Sequence, residues 1–269
     1  FNIAFNKTKV LSLNEGQDYF YTGSMSRFDN IYIVKVGESL GSMYGFVYDG
    51  LVNTQDELST IPIHDAFPVT VGTRMYKDID GWDRDGKPDG VIDENDRRII
   101  GNGNPKFFGG FSNEFSYSGF ELSFLFTYSY GNDVLNAYKS LFPAATPFHG
   151  GPGTMFNRWT PENPQINNPR WGASYNGEYN YVTSYMVEDG SYLRLKNIQL
   201  AYNLNSNWLK KARIQKVRIY ATAQNLLTFT RYTGYDPEVS YFNSLITPGA
   251  DLGGYPRSKI YTLGLNLSF

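Results

Sequence analysis

The stretch that decides the fold is Phe120–Tyr130, with the sequence FELSFLFTYSY. Large apolar side chains occupy every second position, whereas glutamate, serine and threonine fill the positions between, with Leu125 as the one exception. A period of two over this length predicts a β-strand with one apolar and one polar face. The last nine residues, YTLGLNLSF (261–269), show the same alternation.

Further segments alternate in the same way but less regularly, and with these two they make about eight strands. They are 1–13, 27–36, 43–48, 106–117, 191–204 and 216–228. In segment 191–204 the apolar positions shift phase, from Leu193 and Leu195 to Ile198 and Leu200. This shift indicates a β-bulge, an extra residue within one strand.

The connections between these segments alternate in length. Counted back from the C-terminus, the long ones are 229–257, 132–190 and 50–104, and shorter ones at 205–215, 118–119 and 37–42 separate them. A further connection of medium length covers 14–26. Outer-membrane barrels have short turns on the periplasmic side and long loops outside. The sequence therefore predicts extracellular long loops and a periplasmic C-terminus.

The composition excludes several classes of protein. The 269 residues include no cysteine, so disulfides and cysteine metal sites are ruled out. The net charge of −2 is dispersed, so no basic tract indicates nucleic acid. No stretch approaches the ~18 apolar residues of a spanning helix, but a spanning strand needs only ~9–11. His64 and His149 are isolated and are interpreted as loop residues, which argues against histidine-based catalysis.

A soluble β-sandwich is the alternative fold, because its strands alternate too. The apolar face of Phe120–Tyr130 is longer than a typical soluble strand of ~5–6 residues. Tyrosines lie at its end, as in the aromatic girdles of membrane barrels. The long loops also fall on one side. These observations favour an all-β, antiparallel transmembrane β-barrel segment with long extracellular loops.

Specific motifs now become recognisable. In chain order they are GVID (90–93), GSYLRLKNI (190–198), QNLLT (224–228), YTGYDPE (232–238) and YPRS (255–258), before a terminal strand that ends in phenylalanine. Together they resemble the SusC/RagA family of TonB-dependent outer-membrane transporters of Bacteroidetes. The similarity extends over nearly the whole chain, and the ordered string is more specific than any one motif.

The resemblance implies that residues 1–269 are the C-terminal part of a 22-stranded barrel in the outer membrane of a Gram-negative bacterium. The plug domain and the first strands of such a barrel are not found in this sequence. TonB would act through that missing N-terminal part. A SusD-like surface lipoprotein would cap the barrel as a lid, and the pair would import oligosaccharides or peptides. A surface adhesin or a carbohydrate-binding sandwich, without transport, is the alternative function.

An acidic loop at 78–98 is a candidate calcium site. Ca²⁺ takes six to eight oxygen ligands, which short aspartates on a glycine-bent loop supply. The spacing partly fits an EF-hand-type loop, although Lys87 occupies its third position. A solvated acidic loop is the other interpretation. The candidate ligands are Asp83, Asp85, Asp89, Asp93 and Asp96.

The loops also carry aromatic residues, which stack on sugars or anchor protein interfaces, or pack within ordered loops. They are Trp159, Trp171, Tyr175, Tyr179, Tyr181, Tyr232, Tyr235, Tyr241, Phe242 and Tyr255. None is assigned to a substrate. Asp236 and Glu238 are too close in sequence for a hydrolytic acid pair, and Asn225 and Asp236 are interpreted as loop and turn residues that fix the backbone. We therefore predict that the protein is not an enzyme.

Overall fold

A computed structural model of the chain describes residues 1–141, 156–165, 167–170, 180–204, 214–242 and 244–269. Its helices are α1 (Tyr138–Leu141) and 3-10 turns at Glu57–Ser59, Glu94–Asp96 and Ser184–Met186, and no described helix is long and apolar enough to cross a membrane. The strands are β1 (Asn2–Phe5), β2 (Tyr19–Thr22), β3 (Tyr32–Lys35), β4 (Ser42–Gly45), β5 (Tyr48–Leu51), β6 (Ile63–His64), β7 (Arg74–Tyr76), β8 (Val91–Ile92), β9 (Arg98–Asn102), β10 (Phe107–Tyr117), β11 (Phe120–Tyr130), β12 (Asp133–Asn136), β13 (Val187–Asp189), β14 (Tyr192–Leu204), β15 (Lys216–Thr230), β16 (Ala250–Asp251) and β17 (Ile260–Ser268).

The main sheet has six strands in the order β1-β10-β11-β14-β15-β17, and each neighbouring pair is antiparallel. Because the chain reverses at every step, connections 6–106, 131–191 and 231–259 all leave the same end of the sheet. The turn at 118–119 leaves the opposite end, as does 205–215, which lies mostly outside the described residues. The long connections therefore share one end, as the sequence predicts.

Two local features set the register of this sheet. Ser118 and Gly119 have φ values of 48° and 86°, and two positive φ values make the type I′ turn that suits a tight β-hairpin. In the pairing of β14 with β11, the neighbouring residues Leu125 and Phe126 stand opposite Asn197 and Leu195, which leaves Lys196 as an extra residue in β14. The predicted bulge is thereby confirmed.

The two faces of the sheet differ in chemistry. One transverse row consists of Leu122, Leu200, Ala221 and Leu263. The adjacent row on the opposite face consists of Ser123, Gln199, Thr222 and Thr262. On the apolar face Leu200 is 51% exposed and Leu263 is 85% exposed, which would be costly in water and suits contact with lipid.

The all-β, antiparallel prediction is confirmed, but the main sheet has six described strands rather than about eight. Segments 27–36 and 43–48 form β3 and β4, which belong to a separate sheet of order β2-β3-β4-β9. They lie within connection 6–106, so 14–26 and 37–42 are not turns of the main sheet. Their sequences alternate in the same way as those of the main-sheet strands, which we call the wall strands. Because the two misassigned strands are even in number, each long connection still leaves the predicted end of the sheet.

The described parts of the three long connections form one folded unit, which we call the cap. Its core contains Tyr32 and Met43 from connection 6–106, Leu135 and Met186 from 131–191, and Ala250 from 231–259, all fully buried. Strand pairing reinforces this core, because β12 lies between β13 and β16. Since three segments distant in sequence share one apolar core, the cap folds as a unit.

His64 is not a surface loop residue. It ends the short strand β6, and its side chain is 2% exposed within a cluster of aromatic rings that includes Phe46, Phe67 and Tyr76. Burial lowers the pKa of the imidazole to about 4, so the ring is neutral at physiological pH. Its role is therefore packing. His149 lies outside the described residues.

The faces of β14 generate a prediction about stability. Leu200→Arg should destabilise the folded protein in lipid vesicles by about 2–4 kcal/mol, because an arginine near the middle of the lipid-facing side must be desolvated. Gln199→Arg, one residue earlier on the polar face, is the matched control and should cost much less. Urea titration of each variant in vesicles measures the difference. Equal losses would refute the assignment of the faces.

Candidate functional site

Polar side chains cluster on β14 where that strand approaches the cap. Tyr192, Arg194 and Lys196 occupy alternate positions and share the polar face, whereas Leu193 and Leu195 face the opposite side. The Arg194 residue is only 2% exposed. A buried guanidinium needs charged acceptors, because its desolvation is otherwise very costly.

Connection 231–259 supplies those acceptors. Arg194 donates from Nη2 to Asp236 Oδ1 at 2.7 Å and from Nη1 to Glu238 Oε2 at 2.8 Å. Tyr192 donates its hydroxyl to the other oxygen of Glu238 at 2.8 Å. Both carboxylates thereby fix the connection against the wall of the sheet. We call these residues, with Lys196 and Arg257, the ion cluster.

Arg257 completes the ion cluster from the far end of the same connection. Its Nε lies 3.1 Å from Glu238 Oε2 and 3.9 Å from Asp236 Oδ2, and its backbone N–H donates to Asp236 Oδ2 at 3.4 Å. Lys196 Nζ lies 3.5 Å from Glu238 Oε2. Asp236 and Glu238 therefore hold two ends of one connection and the wall strand together.

The electrostatics follow from these contacts. Burial is the largest influence on the Asp236 carboxyl and would raise its pKa, but the hydrogen bonds from Arg194 and from the backbone N–H of Glu238, with the Arg194 charge, hold that pKa below its ordinary value. Asp236 is thus ionised at neutral pH. It accepts hydrogen bonds and does not act as an acid.

A second contact joins connection 231–259 to the wall. Asn225 has a positive φ of 51° in the middle of β15, where the pairing with β14 is irregular. Asparagine tolerates this left-handed conformation better than most residues. Its side-chain amide donates to the carbonyl of Ser258 at 3.1 Å. Asn225 is therefore a bulge residue within a strand rather than a loop residue.

A cavity of about 430 Å³ lies beside the ion cluster. Asp236, Glu238 and Arg257 line one part of it, and Asp251 lies elsewhere on its wall. Tyr232 donates its hydroxyl to Asp251 Oδ2 at 2.5 Å, and burial together with this bond raises the pKa of the tyrosine. The N–H groups of two glycines that follow Asp251 donate to Oδ1, each at 2.8 Å. The Asp251 carboxylate is thus satisfied by the protein.

The predicted calcium ligands make other contacts. Asp96 is fully buried and accepts backbone N–H bonds from Ile79 at 2.7 Å and Asp93 at 2.9 Å. Asp93 accepts from Asn95 N–H, Asp89 from Val91 N–H and Asp85 from Lys87. Asp83 is exposed. Within the described ranges, no three acidic or histidine side chains form a group that would hold a metal.

The loop aromatics divide into two groups. Trp159 and Tyr232 are buried, Tyr181 and Phe242 pack against the cap cores, and these four are therefore packing residues. Three tyrosines are exposed to different degrees: Tyr235 at 66%, Tyr241 at 55% and Tyr255 at 90%. Tyr241 and Tyr255 line the cavity beside the ion cluster. Trp171, Tyr175 and Tyr179 lie outside the described residues.

Comparison with known proteins now places the chain. No family model matches it. It is 36% identical over 279 residues to the TonB-dependent receptor P3 of Formosa agariphila, and 29% identical over 277 residues to the TonB-dependent receptor SusC of Bacteroides thetaiotaomicron. Both alignments cover 100% of this chain, but 26% and 24% of the relatives. The chain is a homologue of the SusC/RagA-type TonB-dependent receptors.

The fold agrees with this assignment. The structure of the RagAB peptide transporter superposes with a TM-score of 0.74 at 24% identity, covering 99% of this chain and 26% of that one. The resemblance inferred from the motifs is confirmed, and so is the all-β fold. The chain spans about a quarter of the length of the relatives that it matches.

The geometry explains why the motifs of this TonB-dependent receptor homologue occur together. GSYLRLKNI provides Arg194, YTGYDPE provides Asp236 and Glu238, YPRS provides Arg257, and QNLLT provides the asparagine that binds the YPRS backbone. Four motifs spread over residues 190–258 therefore meet in one place. Sequence reasoning treated Asp236 as a turn residue and did not pair it with Arg194, although charges of opposite sign in two motifs were a usable signal.

The ion cluster generates a prediction. Arg194→Met should destabilise the protein by about 3–5 kcal/mol, because it leaves Asp236 and Glu238 without their main cation. Arg218→Met is the matched control, since it removes a partly exposed ion pair with Glu121 on the same face and should cost much less. Thermal unfolding in detergent, with protease sensitivity of 231–259, measures both. Similar losses would contradict the assigned role of Arg194.

Calcium binding by residues 78–98 stays a prediction. We expect Ca²⁺, added after chelation, to raise the melting temperature, because ligands that bind only the folded state stabilise it. Asp89→Asn should reduce this rise, whereas Asp56→Asn, an exposed acid on another part of the cap, should not. A calorimetric titration without any Ca²⁺-dependent heat or shift in melting temperature would end the hypothesis.

Proposed function

We propose that this chain forms part of the wall and of the extracellular cap of a TonB-dependent nutrient importer in the bacterial outer membrane. The observation that carries the proposal is the match of the entire chain to receptors of this type, including SusC. The two-faced sheet supports it, because an apolar face suits lipid and a polar face suits an aqueous lumen. The curated relatives are receptors rather than enzymes, which agrees coarsely with the prediction of no catalysis.

The division of labour follows from the geometry. The wall strands would line the path of the solute with serine, threonine, glutamine and asparagine. The cap would close over the outer end of the barrel, and the ion cluster would hold the last long connection in place against β14. In this orientation the three long connections are extracellular, and the C-terminus is periplasmic.

The partners belong to the same proposal. A SusD-like lipoprotein would cover the cap as a lid, which the similarity to SusC and to the RagAB transporter supports. TonB would act through parts of the receptor beyond the quarter that this chain matches. The cargo would be an oligosaccharide or a peptide, and the similar structure is described as a peptide transporter.

Cysteine labelling tests the location and the orientation. The chain has no cysteine, so single substitutions report on chosen positions. Leu245→Cys, at an 84% exposed site in connection 231–259, should react with a membrane-impermeant maleimide on intact cells. Ser118→Cys, in the turn at the opposite end, should react only after the outer membrane is broken.

The unmodified protein is the background control for labelling, and outer-membrane fractionation is carried out in parallel. Labelling of Ser118→Cys on intact cells would reverse the orientation, and recovery of the protein in a soluble fraction would refute the proposal. Import is measured in the same strain, where deletion of the gene should abolish uptake of the cognate oligosaccharide or peptide.

A further inference from the structure

Arg257 has an unusual position at the edge of the ion cluster. Its backbone N–H donates to Asp236, and its Nε lies 3.1 Å from Glu238 Oε2 and 3.9 Å from Asp236 Oδ2. Its side chain is nevertheless 47% exposed and lines the cavity of about 430 Å³. Within the described ranges, neither Nη atom of Arg257 makes a hydrogen bond. One edge of the guanidinium is thus fixed by the protein while the other is available.

An arginine fixed in this way is preorganised for an anion. The guanidinium is planar, and its two Nη atoms match the two oxygens of a carboxylate in a bidentate contact. We call this pair of Nη atoms the fork. The Glu238 carboxylate beside Nε orients the fork and reduces the entropy lost on binding. The neighbouring Arg194 is different, because both of its Nη atoms are already occupied by the two carboxylates.

The local charge balance is compatible with binding of an anion by Arg257. The ion cluster contains three cations, Arg194, Lys196 and Arg257, against two carboxylates, Asp236 and Glu238, which leaves one positive charge. Counting Asp251 on the cavity wall brings the sum to zero. The hydroxyl of a tyrosine and two backbone N–H groups already stabilise that carboxylate. Attraction for an anion is therefore confined to the fork of Arg257 and is not a property of the whole cavity.

Exposed aromatic rings complete the cavity. Tyr241 and Tyr255 line the cavity and are 55% and 90% exposed. The neighbouring Phe242, in contrast, packs against the core of the cap. Their rings offer apolar area with a polar hydroxyl at the edge, an arrangement that is common in recognition sites. A solute that placed a carboxylate on Arg257 would have these rings beside the rest of its body.

We infer that the cavity beside the ion cluster is a solute-binding site in which Arg257 recognises a carboxylate on the imported molecule. The inference rests on the proposed import function and specifies the chemistry of its cargo. The carboxylate has two sources among imported solutes, an acidic sugar or the terminus of a peptide. The fork of Arg257 recognises the group common to both.

The test uses the protein purified from outer membranes in detergent and three probes: sodium glucuronate, N-acetylglycine and neutral glucose. Calorimetric titration should detect at least one acid and give no comparable signal with glucose. Binding of glucuronate alone assigns the site to an acidic sugar, and binding of N-acetylglycine alone assigns it to a peptide terminus. Binding of neither acid, or of glucose as tightly as an acid, would overturn the inference.

Variants locate the site. Arg257→Gln should weaken binding of the acid by about tenfold or more, because a charge-assisted bidentate contact is lost. Arg257→Lys keeps the charge without the fork and should give an intermediate loss. Arg27→Gln removes an equal charge at an exposed position of connection 6–106 and should change nothing. Melting temperatures check that each variant is folded, and unchanged binding in both Arg257 variants would refute the role of Arg257.

Failure of this inference is distinct from failure of the proposed function. A protein that shows the expected cysteine labelling in the outer membrane and imports its cargo, but binds acids equally well without Arg257, refutes only the carboxylate site. A protein recovered outside the outer membrane refutes the proposed function, whatever it binds.

Discussion

A buried guanidinium on a sheet needs charged acceptors, and Arg194 has both of its acceptors in the connection that joins β15 to β17. This requirement holds a long segment against the wall strand. Buried ion pairs add little net stability, since desolvation offsets much of the attraction, but breaking one is costly. The cluster therefore acts mainly by excluding other positions of the connection. Once 231–259 is fixed, its strand β16 pairs with β12 and its Ala250 enters the common core of the cap.

The features that the sequence predicted correctly are those that depend on residues close together in the chain. Alternation located the strands of the wall, the phase shift after Leu195 located the bulge, and the short gap at 118–119 located the hairpin turn. Strand count was less successful, because a short strand in the cap, such as β3, alternates in the same way as a wall strand. His64 was misinterpreted for a related reason: a setting rich in proline and glycine predicts a loop, but burial depends on which distant segment packs over the residue.

The opposite charges of two motifs were a signal for the ion cluster, but local pattern alone does not pair the residues. Arg194 and Asp236 are separated by 42 positions, and only the strand order brings them within hydrogen-bond distance. The acidic loop shows the opposite problem. Short aspartates beside glycines have the chemistry of a calcium loop, yet the same carboxylates also accept backbone N–H bonds, as Asp96 and Asp93 do. Local sequence does not distinguish an oxygen that binds an ion from one that fixes a turn.

The position of Arg257 links recognition to the architecture. Glu238 has three partners besides Arg257, namely Arg194, Lys196 and the hydroxyl of Tyr192, so a ligand that draws Arg257 slightly outward does not leave that carboxylate uncompensated. Asp236 likewise keeps its bond to Arg194. The cluster thus divides two roles between two cations. The buried Arg194 fixes the connection, and the exposed Arg257 keeps one edge of its guanidinium free for a solute. A site built on the fixed part of the cap keeps its shape because the wall strand, and not the ligand, holds it.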